Sequence, residues 1–176
     1  MLQRPSDITA IRLFCILTLL LLTSCGPFPA DPNNSLAAAL ERGALRVGVL
    51  ANPPWVDLRN PQGPAGREVD LLTAYAEQLG VDVDWHSAGV EQQIEALSNY
   101  QLDLVIGGFS AAHPWQAEVG QTFTYFQEPG SSGARGQHVI LTAPGENALL
   151  MSLEGFLFSR QDPDREPRQW QEAAQP

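Results

Sequence analysis

Apolar and polar positions along this chain switch between two periods, and the switching outlines its elements. Leu36 to Arg42 reads as a short helix, with Asn34 or Ser35 as its cap and Gly43 at its end. LRVGVL at Leu45–Leu50 is a strand-like run closed by Asn52, Pro53 and Pro54. After Gly66, residues Val69, Leu72, Tyr75, Ala76 and Leu79 recur at helical spacing, and Gly80 supplies a C-cap. Val81 to Trp85 alternates as a second strand. Val90, Ile94 and Leu97 share one helical face, and Leu102 to Ile106 is a buried strand that Gly107-Gly108 is expected to end.

Strands separated by helices in this order make a β-α-β-α-β unit. Right-handed crossovers then give a mostly parallel α/β sheet with helices on both faces. In the strand order 2-1-3, the loops after the first and third strands leave in opposite directions. Ligands bind at such a switch point, here between Ala51–Asp57 and Gly107–Trp115. Further along, Gln127 to Gly136 is a loop by composition and Gln137 to Leu141 is strand-like. Glu146 to Phe158 is an amphipathic helix with Leu149, Leu150, Leu153, Phe156 and Leu157 on its apolar face, and residues 159–176 form a charged, proline-bearing tail expected to be disordered.

The N-terminus changes the picture from a fold to an address. Arg4 and Arg12 precede an apolar stretch, Leu13 to Leu22, interrupted only by Thr18. As a helix this is about 15 Å long, half of a ~30 Å hydrocarbon core, which fits a signal peptide over residues 1–24 rather than a membrane span. Leu22-Thr23-Ser24-Cys25 then looks like the lipobox of bacterial lipoproteins, with Cys25 as the lipidated mature N-terminus. Residues 25–35, bearing three prolines, read as a flexible tether.

Of 176 residues two are cysteines, Cys15 and Cys25, so once the signal is removed no thiol remains for a disulfide or thiolate metal site. Twenty carboxylates face ten arginines, with no lysine. That acidity argues against nucleic-acid binding or a polybasic membrane patch. His86, His113 and His138 lack metal-ligand spacing and read as surface or turn residues, so neither metal nor cofactor is expected. Glu68 and Asp70 begin a helix, where carboxylates favour the dipole. Asp103 reads as a turn cap, and Pro144-Gly145-Glu146 as a helix start, with no Gly-Lys-Ser/Thr to make it a phosphate loop.

A set of short motifs goes further. LRVGV at 45–49, NPPW at 52–55, GREVDL at 66–71, QLGV at 78–81 and DLVIGG at 103–108 occur in that order, followed by Pro114-Trp115 and the Val119–Phe126 segment. Together they resemble the first lobe of the family 3, amino-acid-type substrate-binding proteins of ABC transporters. Gln137 to Leu150 is similar to the segment with which that family returns to its first lobe. Residues 36–158 thus resemble one periplasmic-binding-protein-like (type II) lobe, with the linker 127–136 standing where most of the second lobe is missing.

The resemblance implies a non-enzymatic lipoprotein in the periplasm or at the cell surface. It would capture a small polar solute, such as an amino acid or derivative, for the permease of an ABC importer. Carried over position by position, ligand contacts fall on Asn52 and Trp55 in the first loop and on Gly108, Ser110 and Trp115 in the second. Trp55 stands where an aromatic packs on the ligand side chain. Gly108 and Ser110 stand where backbone N–H and hydroxyl groups meet the ligand carboxylate. Trp115 departs from the family, which places there an arginine that grips the α-carboxylate; tryptophan offers a stacking surface instead. The alternatives are a single-lobe docking module, which self-associates or binds a protein through an apolar face left by the missing lobe, or an inactive remnant.

Overall fold

The computed structural model describes residues 31–128 and 133–161. The expected signal peptide, the expected lipidation site Cys25, the tether up to residue 30 and the tail from residue 162 lie outside the described residues. Helix α1 (Ser35–Arg42) leads into β1 (Ala44–Val49), then α2 (Arg67–Leu79), β2 (Asp82–Ser87), α3 (Val90–Ser98) and β3 (Leu104–Ser110). Two short strands follow, β4 (Gly120–Gln121) and β5 (Phe126–Gln127), then a 3-10 turn at Ala134–Gly136, β6 (Gln137–Thr142) and α4 (Asn147–Gln161).

The sheet runs β2-β1-β3-β6-β4, with β5 also paired to β6. β1 pairs parallel with both β2 and β3, Val47 facing Trp85 on one side and Leu104 on the other. This is the expected α/β switch-point order. β6 joins β3 antiparallel, so the sheet is mixed. Alternation along the strands divides the core in two. Leu45, Val47, Val49, Leu104, Ile106 and Ile140 face α1, α2 and α4, while Val105, Val139 and Leu141 face Ile94 and Leu97 of α3. On the α3 side Gly48 is bare because the Gln93 side chain lies there; a Cβ would sit 2.1 Å from its Oε1.

Three details differ from the sequence reading. β3 does not end at Gly107-Gly108 but continues to Ser110, because a register shift between Val105 and Phe109 absorbs the glycines as a bulge. α4 continues to Gln161, beyond Phe158, with Arg160 stacked on Phe156. The end of the tether is anchored rather than loose. Asp31 N–H donates to the Gly145 carbonyl, and Asp31 Oδ1 accepts from Ala148 N–H at 2.7 Å.

Candidate functional site

The crevice at the C-terminal ends of β1 and β3 is built around the bulge. Gly108 has φ +68°, and a Cβ there would lie 2.4 Å from Trp55 Cδ1 and 2.6 Å from Asn52 Nδ2. Only glycine meets both demands. Asn52, exposed at the rim, donates from Nδ2 to the Gly107 carbonyl at 2.8 Å and so ties the two loops together. The structure therefore brings Asn52, Trp55 and Gly108 into direct contact, with Ser110 half-buried two residues on.

Their roles are not all those the sequence suggested. Trp55 is not an open platform: it is 6% exposed. Its ring lies 4.0 Å from the His138 ring and 5.2 Å from Phe126, with the Arg67 guanidinium 5.7 Å away over its face. The chain's own aromatic and cationic groups surround its ring. The Gly108 N–H is likewise engaged, donating with that of Gly107 to Glu68 Oε2, each at 2.8 Å. Trp115 packs against the α3 side of the core, 6.2 Å from His113 in a stacked pair and edge-on to Phe109.

Glu68 is the residue the helix-start reading missed. Its side chain does not face solvent at the α2 dipole but is fully buried under the bulge, where Oε1 also accepts from the Tyr125 hydroxyl at 2.5 Å. Burial raises its pKa above the ordinary 4.5, against the lowering pull of those three hydrogen bonds. The Tyr125 hydroxyl is pushed up by its burial and by the neighbouring Glu68. A signal existed in the sequence: adjacent glycines in a bulge leave backbone donors that a buried acceptor must satisfy.

Three further sequence readings are corrected here. His113 and His138 are buried, not surface residues. Trp115 N–H donates to His113 Nδ1, so Nε2 carries the hydrogen that bonds Gln121 Oε1 at 2.8 Å, and both ring nitrogens are committed to the fold. His138 Nε2 lies 3.1 Å from Glu128 Oε1. Asp103 is no turn cap: fully buried, it binds the Arg42 and Arg46 guanidinium groups at 2.7 Å and the Arg46 N–H at 2.8 Å. Nor do the described crevice loops leave a large hydrophobic side chain exposed. Among the described residues the large hydrophobics left exposed are Leu40 on α1 and Met151 on α4, neither in the crevice loops.

Comparison with known proteins places this geometry. The sequence profile of the bacterial extracellular solute-binding proteins, family 3, matches residues 45–162. The chain is 35% identical over 92 residues to the membrane-bound lytic murein transglycosylase F of Vibrio cholerae serotype O1, covering 52% of this chain and 17% of that protein. It is 28% identical over 97 residues to the glutamate-binding protein GluB of Corynebacterium efficiens, covering 51% of this chain and 32% of that one. The match thus spans a sixth to a third of these relatives' length. Among solved structures, the arginine-bound form of domain 1 from TmArgBP superposes with a TM-score of 0.63 at 26% identity, covering 69% of this chain and 97% of that domain. An ancestral cationic amino acid solute binding protein shares the fold at a TM-score of 0.61 and 15% identity, covering 73% of this chain and 96% of its own. With the profile matching about two thirds of its length, the chain belongs to the bacterial extracellular solute-binding proteins, family 3.

Proposed function

We propose that this chain is a single-lobe solute-binding lipoprotein. On this reading Cys25 carries lipid, the lobe stands on its tether outside the cytoplasmic membrane, and it presents a small polar solute, an amino acid or derivative, to an ABC importer. The observation that carries the reading is the likeness to domain 1 of TmArgBP, a lobe solved on its own with arginine bound. The solute contacts we assign are the Asn52 amide at the rim, the Ser110 hydroxyl and the open side of the Gly107–Gly108 bulge, with the exposed part of Trp115 as a flanking surface. Because the bulge N–H groups already serve Glu68, and no arginine stands at position 115, the solute's carboxylate is held more weakly than in two-lobed members.

The reading is non-catalytic. The fully buried carboxylates are committed to structure: Glu68 to the bulge and Asp103 to Arg42 and Arg46. The likeness to the murein transglycosylases covers 17% of their length and suggests a shared solute-binding-like module rather than a shared reaction.

Thermal unfolding of the purified full-length chain with a panel of amino acids tests the proposal. A solute at 100 times its Kd stabilises the fold by about 2.7 kcal/mol and raises the midpoint by several degrees. Ser110→Ala is expected to remove most of that shift while leaving the ligand-free midpoint unchanged. A cooperative melt that no solute shifts would end the capture reading and favour a protein-docking module. The anchor is checked separately: Cys25→Ser should move the protein from the membrane fraction to the soluble one.

A further inference from the structure

The described residues include six arginines, and three of them are paired. Arg42 and Arg46 hold Asp103, and Arg59 holds Asp57. Arg67 and Arg160 have no carboxylate within ion-pairing distance among the described residues, and both line the same hollow. It lies on the α2 and α4 face beside Trp55, is lined by neither Asn52, Gly107, Gly108 nor Ser110, and is a half-open hollow of about 200 Å³. Leu71 and Leu157 give it an apolar floor, and Trp55 and Phe126 an aromatic wall.

The two guanidinium groups are held in place by rings. Arg67 lies 5.7 Å from the Trp55 ring centre and 5.6 Å from that of Phe126, and Arg160 lies 4.9 Å from that of Phe156. Stacking fixes the plane of a guanidinium while leaving its edge donors free for an oxygen acceptor. Two like charges around one apolar hollow repel each other, and an anion between them relieves that repulsion. The chain carries a net charge of −10, so this spot attracts an anion against the overall field.

We propose that this hollow binds a small organic carboxylate with an apolar body, at a site separate from the solute crevice. Size sets the body: an apolar cavity of about 150 Å³ admits benzene, so the hollow takes one ring and a short acidic arm. A second hollow, lined by Thr124, Gln127 and the shared Tyr125, Phe126 and Arg160, adjoins it. Charge sets the head group. A monoanion can take edge donors from both guanidinium groups, whereas a phosphate dianion loses more hydration on approaching an apolar floor.

Phenylacetate is the probe, titrated calorimetrically into the full-length chain beside phenylacetamide, acetate and inorganic phosphate. Phenylacetate should bind saturably in the millimolar range or tighter, and the neutral amide should not. Arg67→Met and Arg160→Met should each weaken phenylacetate by about tenfold or more, while Arg135→Ala, which alters an exposed arginine outside the hollow, should leave it unchanged. The two exposed substitutions are also compared by thermal midpoint, so that loss of fold is told apart from loss of site. Equal binding of the amide, undiminished binding by the double Arg→Met variant at an unchanged midpoint, or no saturable heat would each overturn the site. Acetate or phosphate binding as tightly as phenylacetate would overturn the apolar-body requirement. None of these outcomes depends on whether an amino acid shifts the melt.

Discussion

At the scale of single residues, the crevice depends on one glycine and one buried acid. Gly108 combines a positive φ with side-chain neighbours closer than any Cβ tolerates. Gly108→Ala is therefore expected to cost at least about 2 kcal/mol in urea denaturation, from αL strain and from displacing Trp55 and Asn52. Gly43, with φ +74° and open space around it, serves as control; Ala there meets only the conformational penalty of about 1 kcal/mol. Glu68 makes a prediction about pH. Burial raises its folded pKa above 4.5, so the folded state binds this proton more tightly than the unfolded chain. The group's contribution to stability is then complete below 4.5 and lost as pH rises through the folded value. Glu68→Gln keeps an acceptor for the bulge N–H groups but has no proton to lose. Relative to the parent, it should gain in stability as pH rises from below 4.5 toward neutrality, as followed by urea midpoints across that range. A difference that stays flat with pH would contradict the buried-acid assignment.

At the scale of elements, the informative feature is how α1 and α4 hold one another's beginnings. Glu146, just before α4, accepts the Asn33 and Ser35 N–H groups at 2.7 and 2.6 Å, at the start of α1. In return Asp31, ahead of α1, accepts the Ala148 N–H of α4. Each helix leaves unsatisfied donors in its first turn, and here each is capped by a carboxylate from the other's approach. The exchange pins the chain before α1 to a segment more than a hundred residues later. Glu146→Ala should cost about 1–2 kcal/mol and speed amide exchange in α1 while leaving β1 protected. Equal exchange in both elements would mean that α1 does not open by itself. Neither partner is legible locally. Asn34 was a plausible cap by residue type, yet its side chain makes no capping hydrogen bond. The acceptors come from far along the chain, where no local pattern points.

At the scale of the whole molecule, the segments on either side of residues 129–132 are neighbouring strands, β5 and β6. Phe126 pairs with His138 and Gln127 with Gln137, and the Glu128 N–H closes on the Gly136 carbonyl at 2.9 Å. Two-lobed binding proteins close around a solute by bending such segments. Here the antiparallel pairing, with the Trp55 ring tilted against His138 and edge-on to Phe126, is expected to resist such a motion. Small-angle scattering of the full-length chain should accordingly give the same radius of gyration with and without a saturating solute. A contraction on binding would show that the hairpin does act as a hinge.

Local order is legible in the sequence alone. Apolar periodicity and glycine or proline punctuation placed the four described helices and the strands β1, β2, β3 and β6 within a few residues, because those signals act over a few neighbouring positions. The motifs from Leu45 to Gly108 pointed to the family, since their order and spacing survive where individual residues change. Tertiary structure decided the rest. It turned Glu68 inward, made Asp103 an anchor for two arginines, buried His113 and His138, closed Trp55 beneath Arg67 and carried β3 through its glycines. In each case a polar or aromatic side chain meets partners from distant segments. Burial, hydrogen-bond satisfaction and ring contact are properties of the assembled core, and no window of sequence contains them.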